Sequence, residues 1–117
     1  MVKLSAQRAA FEGAADELQA KFVRGLSDVN RLRIVRYLLG GPRSVSEIVR
    51  KLGVPQSRIS NHLACLKWCG YVNAQREGRS IIYRITDERV RDILRLTRAI
   101  VGDNAARIAS CVRIPEQ

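Results

Sequence analysis

The chain has 117 residues, of which 46% are hydrophobic, which suits one folded domain with one core and excludes a disordered tail. Lys and Arg number 21 against 11 for Asp and Glu, and the resulting net charge of +10 makes a compact domain repel itself unless a polyanion is near. The usual partner of such a domain is nucleic acid, and the next most common is an anionic membrane surface. The alternative is a soluble basic protein whose charge serves no partner.

No apolar run approaches the roughly 18 residues of a membrane span, and residues 1–17 mix charges where a signal peptide would be apolar. We therefore expect a cytoplasmic protein with no membrane partner. Three cysteines in a reducing compartment are poor candidates for disulfides, which leaves buried small residues, reactive thiols or metal ligands. One histidine, no Gly-rich phosphate loop and no nucleophilic triad argue against an enzyme.

Apolar residues recur every three or four positions from Ser5 to about Leu26, so residues 1–26 are predicted to hold an amphipathic helix. Ser27 and Asp28 then offer an N-cap for a helix over Val29–Leu39. The Gly-Gly-Pro sequence that follows ends this helix.

Residues 44–69 predict two short helices joined by a tight turn, the signature of a helix-turn-helix. Ser44 or Ser46 caps the first helix, and Gly53 stops it. Pro55 marks the start of the second, which is the expected recognition helix.

The hydrophobic period changes to two in residues 71–85, which predicts a β-hairpin with its turn at Glu77-Gly78-Arg79. A hairpin directly after a recognition helix is a wing. Asp87 is expected to cap a long helix over residues 87–109, followed by a tail of residues 110–117. The fold class is therefore mainly α with a two-stranded β-hairpin, a single winged helix-turn-helix domain.

The first and last predicted helices carry apolar stripes longer than a compact core needs. We expect part of each stripe to pair with a second copy in a homodimer, since two-fold dimers are the commonest oligomers. The alternative is that both stripes fold back within one chain.

A helical wheel of the recognition helix places Ile59, Leu63 and Leu66 towards the core, with short polar and amide side chains on another face. Such side chains approach base edges in the major groove, and wing arginines, with Arg84 among them, contact phosphate or the minor groove. An ordinary polar helix face is the alternative. The predicted contacts with double-stranded DNA are Gln56, Ser57, Arg58, Ser60, Asn61, Lys67, Arg76 and Arg79.

Cys65 and Cys69 are four residues apart and share one face of this helix, beside the core and away from the polar face. In a two-fold dimer Cys111 of the tail could reach the recognition helix of the partner, which would give a three-thiolate site. Such a site suits soft ions, and Arg58 and Lys67 should lower the pKa of the thiols. Ordinary buried thiols are the alternative.

Two other residues of this helix have less specific interpretations. His62 could be a fourth ligand, but a hydrogen-bonded structural role is the better expectation. Trp68 is expected in the core or in an interface.

Three segments together resemble the ArsR/SmtB family of metal-sensing winged-helix repressors: LSDVNRLRIVRYLLGG (26–41), SVSEIVRKLGVPQSRISNHLACLKWCGYV (44–72) and REGRSIIYRI (76–85). The resemblance implies a homodimer whose repression is relieved by an inducer. One group in the family binds metal through Cys-x-Cys on the helix before the recognition helix, and residues 46–52 contain no cysteine. Another uses Asp and His on the last helix, which here has no histidine.

The sequence CLKWC on the recognition helix, with one C-terminal cysteine, is similar to the cadmium- and lead-sensing CmtR subgroup. That resemblance implies metal-ligand roles for Cys65, Cys69 and Cys111. We expect a repressor that binds operator DNA without metal and dissociates on binding Cd(II) or Pb(II), with Hg(II) and As(III) as further candidates. The alternatives are a thiol-redox-sensing repressor of the same fold and a non-specific architectural DNA-binding protein.

Overall fold

The computed structural model describes residues 2–113 and contains five α-helices and three β-strands in that part of the chain. None of the described helices combines the length and apolarity that a membrane span needs. In chain order the elements are α1 (Val2–Arg24), α2 (Val29–Leu39), β1 (Arg43–Ser44), α3 (Val45–Leu52), α4 (Gln56–Trp68), β2 (Val72–Glu77), β3 (Ser80–Ile85) and α5 (Arg89–Ala109).

The helices begin where short polar side chains satisfy their free backbone N–H groups. The Asp28 carboxylate accepts hydrogen bonds from the backbone N–H groups of Asn30 (2.8 Å) and Arg31 (3.1 Å) at the start of α2. At the start of α3, Ser44 and Glu47 form a reciprocal capping box, with hydrogen bonds of 2.9 Å and 3.2 Å. The bounds of α2 are those predicted, and of the two serines proposed for α3 the cap is Ser44.

The end of α4 turns the chain back towards the core through a glycine. Gly70 has φ +87°, and the N–H of Tyr71 donates to the carbonyl of Leu66 at 2.9 Å while that of Gly70 donates to Lys67 at 3.1 Å. This is a Schellman motif, which needs the left-handed conformation that glycine adopts at little cost. As a result, Tyr71 enters the core directly after the thiol-bearing end of α4.

The predicted hairpin is present, with β2 and β3 paired antiparallel from Val72↔Ile85 to Glu77↔Ser80. A third strand, β1, adds to the other edge of β3 and gives the order β1-β3-β2. This strand was not predicted, because two residues are too few to show a period of two. The chain has the expected mainly α winged helix-turn-helix fold, with a three-stranded sheet.

One apolar core holds α2, α3, α4, the base of the wing and the start of α5 together. Its buried members are Ile34, Val35, Leu38, Ile48, Ile59, Leu63, Leu66, Tyr71, Val72, Val90 and Leu94. Trp68 is not among them, and its side chain is 91% exposed. The expectation that Trp68 packs in the core of its own chain is therefore wrong, because the last turn of α4 points it away from every neighbouring element.

The outer helices leave apolar side chains uncovered. Phe11 of α1 and Ile100 of α5 are each 60% exposed, and Leu18, Val101 and Ile108 are also exposed. The two stripes therefore do not fold back against each other within one chain.

The last helix begins at Arg89, two residues later than predicted. Asp87 lies outside the helix, and its carboxylate accepts a hydrogen bond from the backbone N–H of Arg89 at 2.9 Å.

Candidate DNA-binding surface and thiol site

The recognition helix α4 has a buried face and an exposed polar face. Ile59, Leu63 and Leu66 are fully buried and fix its rotation about its own axis. The side chains turned outwards are Gln56, Ser57, Arg58, Ser60, Asn61, Ala64 and Lys67. These side chains place hydroxyl and amide groups on the solvent-exposed face of a helix. Recognition of base edges in a major groove requires such groups on a helix that can enter the groove.

The wing tip lies next to the N-terminal end of this helix. Gln56 and Arg79 line one shallow cleft of about 210 Å³, together with Ser46 and Ser80. Arg76, on β2 opposite Ile81, is exposed as well. The first turn of α4 and the wing tip therefore form one continuous surface, in which polar side chains adjoin arginines.

Arg84, the third arginine predicted for the wing, is less exposed than Arg76 and Arg79. It is half-buried on β3, and its Nη2 lies 3.9 Å from Oε1 of Glu77, although its Nε has no hydrogen-bond partner among the described residues. Its backbone lies opposite Asn73, but its guanidinium reaches towards Glu77 of the wing turn, so its contact with DNA stays a prediction.

Cys65 of α4 and Cys69, the residue directly after its last turn, are half-buried on the side of this helix between the core and the polar face. The Cys69 sulfur lies against the junction of α1 and α2. A Cβ atom added at Gly25 would lie 3.4 Å from this sulfur and 2.9 Å from Cε2 of Tyr71. A residue without a side chain at this point allows the α1–α2 junction to approach the thiols closely.

The expectation of a lowered thiol pKa is wrong for Cys69. Burial raises the pKa of Cys69 above its ordinary value, and the neighbouring Cys65 raises it further. The cations that oppose this effect are Lys21 and Arg31, from α1 and α2, and not Arg58 or Lys67. Binding of a metal to Cys69 would therefore release a proton and depend on pH.

Tyr71 fastens the thiol-bearing end of α4 to α1. Its hydroxyl donates a 2.6 Å hydrogen bond to the backbone carbonyl of Phe22, and the two rings stack with centroids 4.2 Å apart. The side chain of Tyr71 is fully buried. The two residues are 49 positions apart, so this contact is a direct link between the recognition helix and the N-terminal helix.

Replacing Tyr71 with Phe should lower the free energy of unfolding at pH 7 by about 1 kcal/mol, because the buried hydrogen bond is lost while the ring stack remains. Burial also raises the pKa of Tyr71 from 10 to about 12. The neutral phenol is thus favoured in the folded state, so its contribution is complete below pH 10 and is lost as the pH rises towards 12.

Urea unfolding of the wild type and of Tyr71→Phe between pH 7 and pH 12 measures how this contribution to the free energy of unfolding depends on pH. We expect the advantage of the wild type over Tyr71→Phe to shrink above pH 10. An advantage that stays constant over the whole range would show that the phenol ionises equally well in the folded and unfolded states.

His62 lies next to the residue that caps the start of α2. Its Nε2 lies 3.7 Å from Oδ1 of Asp28, the residue that caps this helix, and its side chain is 14% exposed. This contact supports the structural role that the sequence favoured over a fourth metal ligand.

Cys111 lies in the exposed segment after α5, and its backbone N–H donates to the carbonyl of Ile108. Within residues 2–113 of one chain, no group of three His, Cys, Asp or Glu side chains comes together in a way that could hold a metal ion. The structure thus brings Cys65 and Cys69 together and leaves Cys111 apart from them in the same chain.

Comparisons with known proteins agree with this arrangement of elements. Residues 28–74, which include α2, α3 and α4, match the family model of bacterial regulatory proteins of the arsR family. A probable mercury resistance operon repressor from Streptomyces lividans is 44% identical over 96 residues, which cover 82% of this chain and 77% of that protein. The chain belongs to the ArsR family. Members of this family are transcriptional regulators, so the protein is a DNA-binding regulator and not an enzyme.

The chain is also similar to other transcriptional regulators. The transcriptional regulator CmtR of Mycobacterium tuberculosis is 41% identical over 68 residues, 58% of each chain. Among solved structures, the homodimeric winged helix-turn-helix DNA-binding domain of a Mycobacterium bovis protein is 31% identical, with a TM-score of 0.71, and the match covers 82% of this chain and 88% of that one. The repressor BigR of Xylella fastidiosa is 30% identical with a TM-score of 0.67, over 80% and 94%.

Proposed function

We propose that the protein is a homodimeric repressor that binds operator DNA without metal and releases it when a soft metal ion binds to cysteine thiolates. One observation carries this proposal: a single helix, α4, bears an exposed polar face beside the wing tip and, on a separate face, the half-buried pair Cys65 and Cys69. A ligand on the thiols would act on the helix that reads DNA without covering the reading face.

The dimer is supported by the apolar surface of the outer helices. Besides the exposed stripes, α1 and α5 line an open, largely apolar cleft of about 640 Å³ whose walls include Phe22, Leu26, Ile93 and Val101. A second copy packed there would cover this surface, and the M. bovis neighbour is a homodimer. Two recognition helices related by a two-fold axis would then fit half-sites about one DNA turn apart.

The donor set fits a soft metal ion. Cys65 and Cys69 offer two adjacent sulfurs from one chain, and thiolates favour soft ions over Mg²⁺ or Ca²⁺. For the third ligand we place Cys111 of a second copy at this pair, because Cys111 is exposed at the end of the helix expected at the dimer interface. Three thiolates suit Cd(II), Pb(II), Hg(II) or As(III) better than structural zinc, which normally takes four ligands.

The contacts around Cys69 suggest how the thiols are coupled to DNA. Cys69 lies near Gly25 in the α1–α2 junction, and Tyr71 joins the end of α4 to Phe22 of α1. Metal binding at the thiols would therefore shift α4 relative to α1, which is expected at the dimer interface. The shift would change the distance between the two recognition helices of the dimer. A coupling free energy of roughly 1–3 kcal/mol would give useful derepression.

The test is a titration of the reduced full-length protein with Cd(II), Pb(II), Hg(II) and As(III). The ultraviolet thiolate-to-metal absorption band and release of fluorescent DNA are followed in the same sample, using a duplex selected by this protein from a random-sequence library. We expect the band and the release to saturate together. A metal band without release, or release without a band, contradicts the proposal.

Replacing Arg79 with Ala should weaken binding to all duplexes about equally and reduce the slope of log K against log salt by about one unit. The reason is that a wing-tip guanidinium on phosphate carries charge but no base information. Fluorescence anisotropy at several salt concentrations measures the slope. Arg107→Ala, which removes the same charge from α5, is the matched control, and an unchanged slope for Arg79→Ala would remove that residue from the interface.

A further inference from the structure

A second basic site lies outside the surfaces described so far, between α2 and the segment from β1 to the end of α3. It is a cleft of about 610 Å³ lined by Arg33, Arg36, Tyr37, Gly40, Arg43, Lys51 and Leu52. Arg36 and Tyr37 of α2 and Gly40 directly after it are three, four and seven residues from Arg33, so they follow one helical face. No lining residue is acidic, and four of the seven are cations.

The aromatic ring of Tyr37 is the centre of this cluster. The Arg43 guanidinium lies over the ring with its Cζ 4.4 Å from the centroid, and Nζ of Lys51 lies 5.7 Å from the same centroid. Such cation–π contacts hold two positive side chains near one another although their charges repel. The ring thus preorganises a pair of cations at the wall of the cleft.

Within residues 2–113, none of these four cations lies within ion-pair distance of a carboxylate, unlike several other arginines. The described ion pairs of arginine join Arg84, Arg89, Arg91 and Arg95 to nearby acids. Nε of Arg43 is buried with no hydrogen-bond partner among the described residues. The carboxylate that acts on Arg43 electrostatically is Glu47, and it already accepts the N–H of Ser44 at 2.9 Å in the capping box.

We propose that this cleft binds a phosphate group. A multiply charged oxyanion would relieve the repulsion among these four cations and would give the guanidinium groups acceptors, which they can bind through bidentate hydrogen bonds. The elements that line the cleft do not include α4 or the wing hairpin, so this site is separate from the base-reading face and from the thiols. The phosphate belongs either to a free ion or to the backbone of bound DNA, and the two sources can be distinguished.

The first arm titrates the full-length protein with inorganic phosphate and pyrophosphate and follows backbone and arginine side-chain resonances by NMR. We expect saturable shifts at Gly40 and Arg43 and at the Nε–H of Arg43. Lys51→Gln should weaken pyrophosphate binding about five- to tenfold, since it removes one charge-assisted contact. Lys51 is exposed, so this variant should keep its fold, which its thermal unfolding curve checks.

The second arm measures the salt dependence of duplex binding for the same variant. If the phosphate comes from DNA, Lys51→Gln lowers the slope of log K against log salt by about one unit. Arg107→Gln, which removes the same charge from the exposed last turn of α5, is the control in both arms.

Saturable phosphate binding that Lys51→Gln weakens more than the control supports the site, and so does a slope change specific to Lys51→Gln. The proposal is overturned if neither occurs, or if the control and Lys51→Gln behave alike in both arms. None of these outcomes depends on the metal response of the thiols.

Discussion

Replacing Cys65 with Ser should abolish metal-induced release of DNA and leave DNA binding by the metal-free protein within about twofold of the wild type. In the wild type, Cd(II), Pb(II) or Hg(II) should lower operator affinity about 5- to 150-fold, the range of typical coupling between two sites. Serine matches cysteine in shape but does not supply a thiolate, so the loss should concern the metal and not the fold. Anisotropy titrations with and without metal measure both affinities.

Two further measurements make this test specific. Cys111→Ser examines the third ligand separately, and it should weaken the metal response if the tail of a second copy completes the site. Mass spectrometry after peroxide and after metal separates metal binding from thiol oxidation. Release of DNA by metal from the Cys65→Ser protein would refute thiol-based sensing.

Replacing Asn61 with Ala should cost about 1–3 kcal/mol of operator binding and much less of binding to random DNA. Asn61 is exposed on α4, where its amide can donate to and accept from a base edge. The effect is therefore expected in the ratio of specific to non-specific affinity. Competition of the selected duplex against random duplex at fixed salt gives this ratio directly.

Asn73→Ala is the matched control, because Asn73 is an exposed asparagine on β2, opposite Arg84 and away from the wing tip. It should leave the ratio unchanged. Equal losses for Asn61→Ala on both duplexes, with a wild-type ratio near one, would favour an architectural protein that binds any sequence.

The elements were predictable from the sequence because their signals are local. The cap at Asp28, the αL glycine at Gly53 and the glycine in the wing turn act within a few residues of themselves, and the helices and the hairpin form where those signals lie. The two faces of α4 follow from the same reasoning, since a rotation of about 100° per residue fixes which side chains share a face. The buried Ile59 and the exposed Asn61 agree with that wheel.

The predictions that were wrong or missing concern residues whose neighbours come from distant parts of the chain. The pKa of Cys69 is raised because the α1–α2 junction buries its thiol, and no spacing within α4 indicates that contact. Trp68 is exposed because no other element of the described chain reaches the last turn of α4. The strand β1 exists because β3 offers it a free edge.

The amino-acid sequence by itself determined where the helices and the wing lie and which stripe of α4 can face DNA, because caps, turns and helical periodicity depend on neighbouring residues. Only the tertiary structure decided that Tyr71 joins α4 to Phe22 of α1 and that Arg43 and Lys51 meet over one tyrosine ring. Burial, desolvation and the gathering of like charges depend on which distant segments share space, and that is set when the core closes.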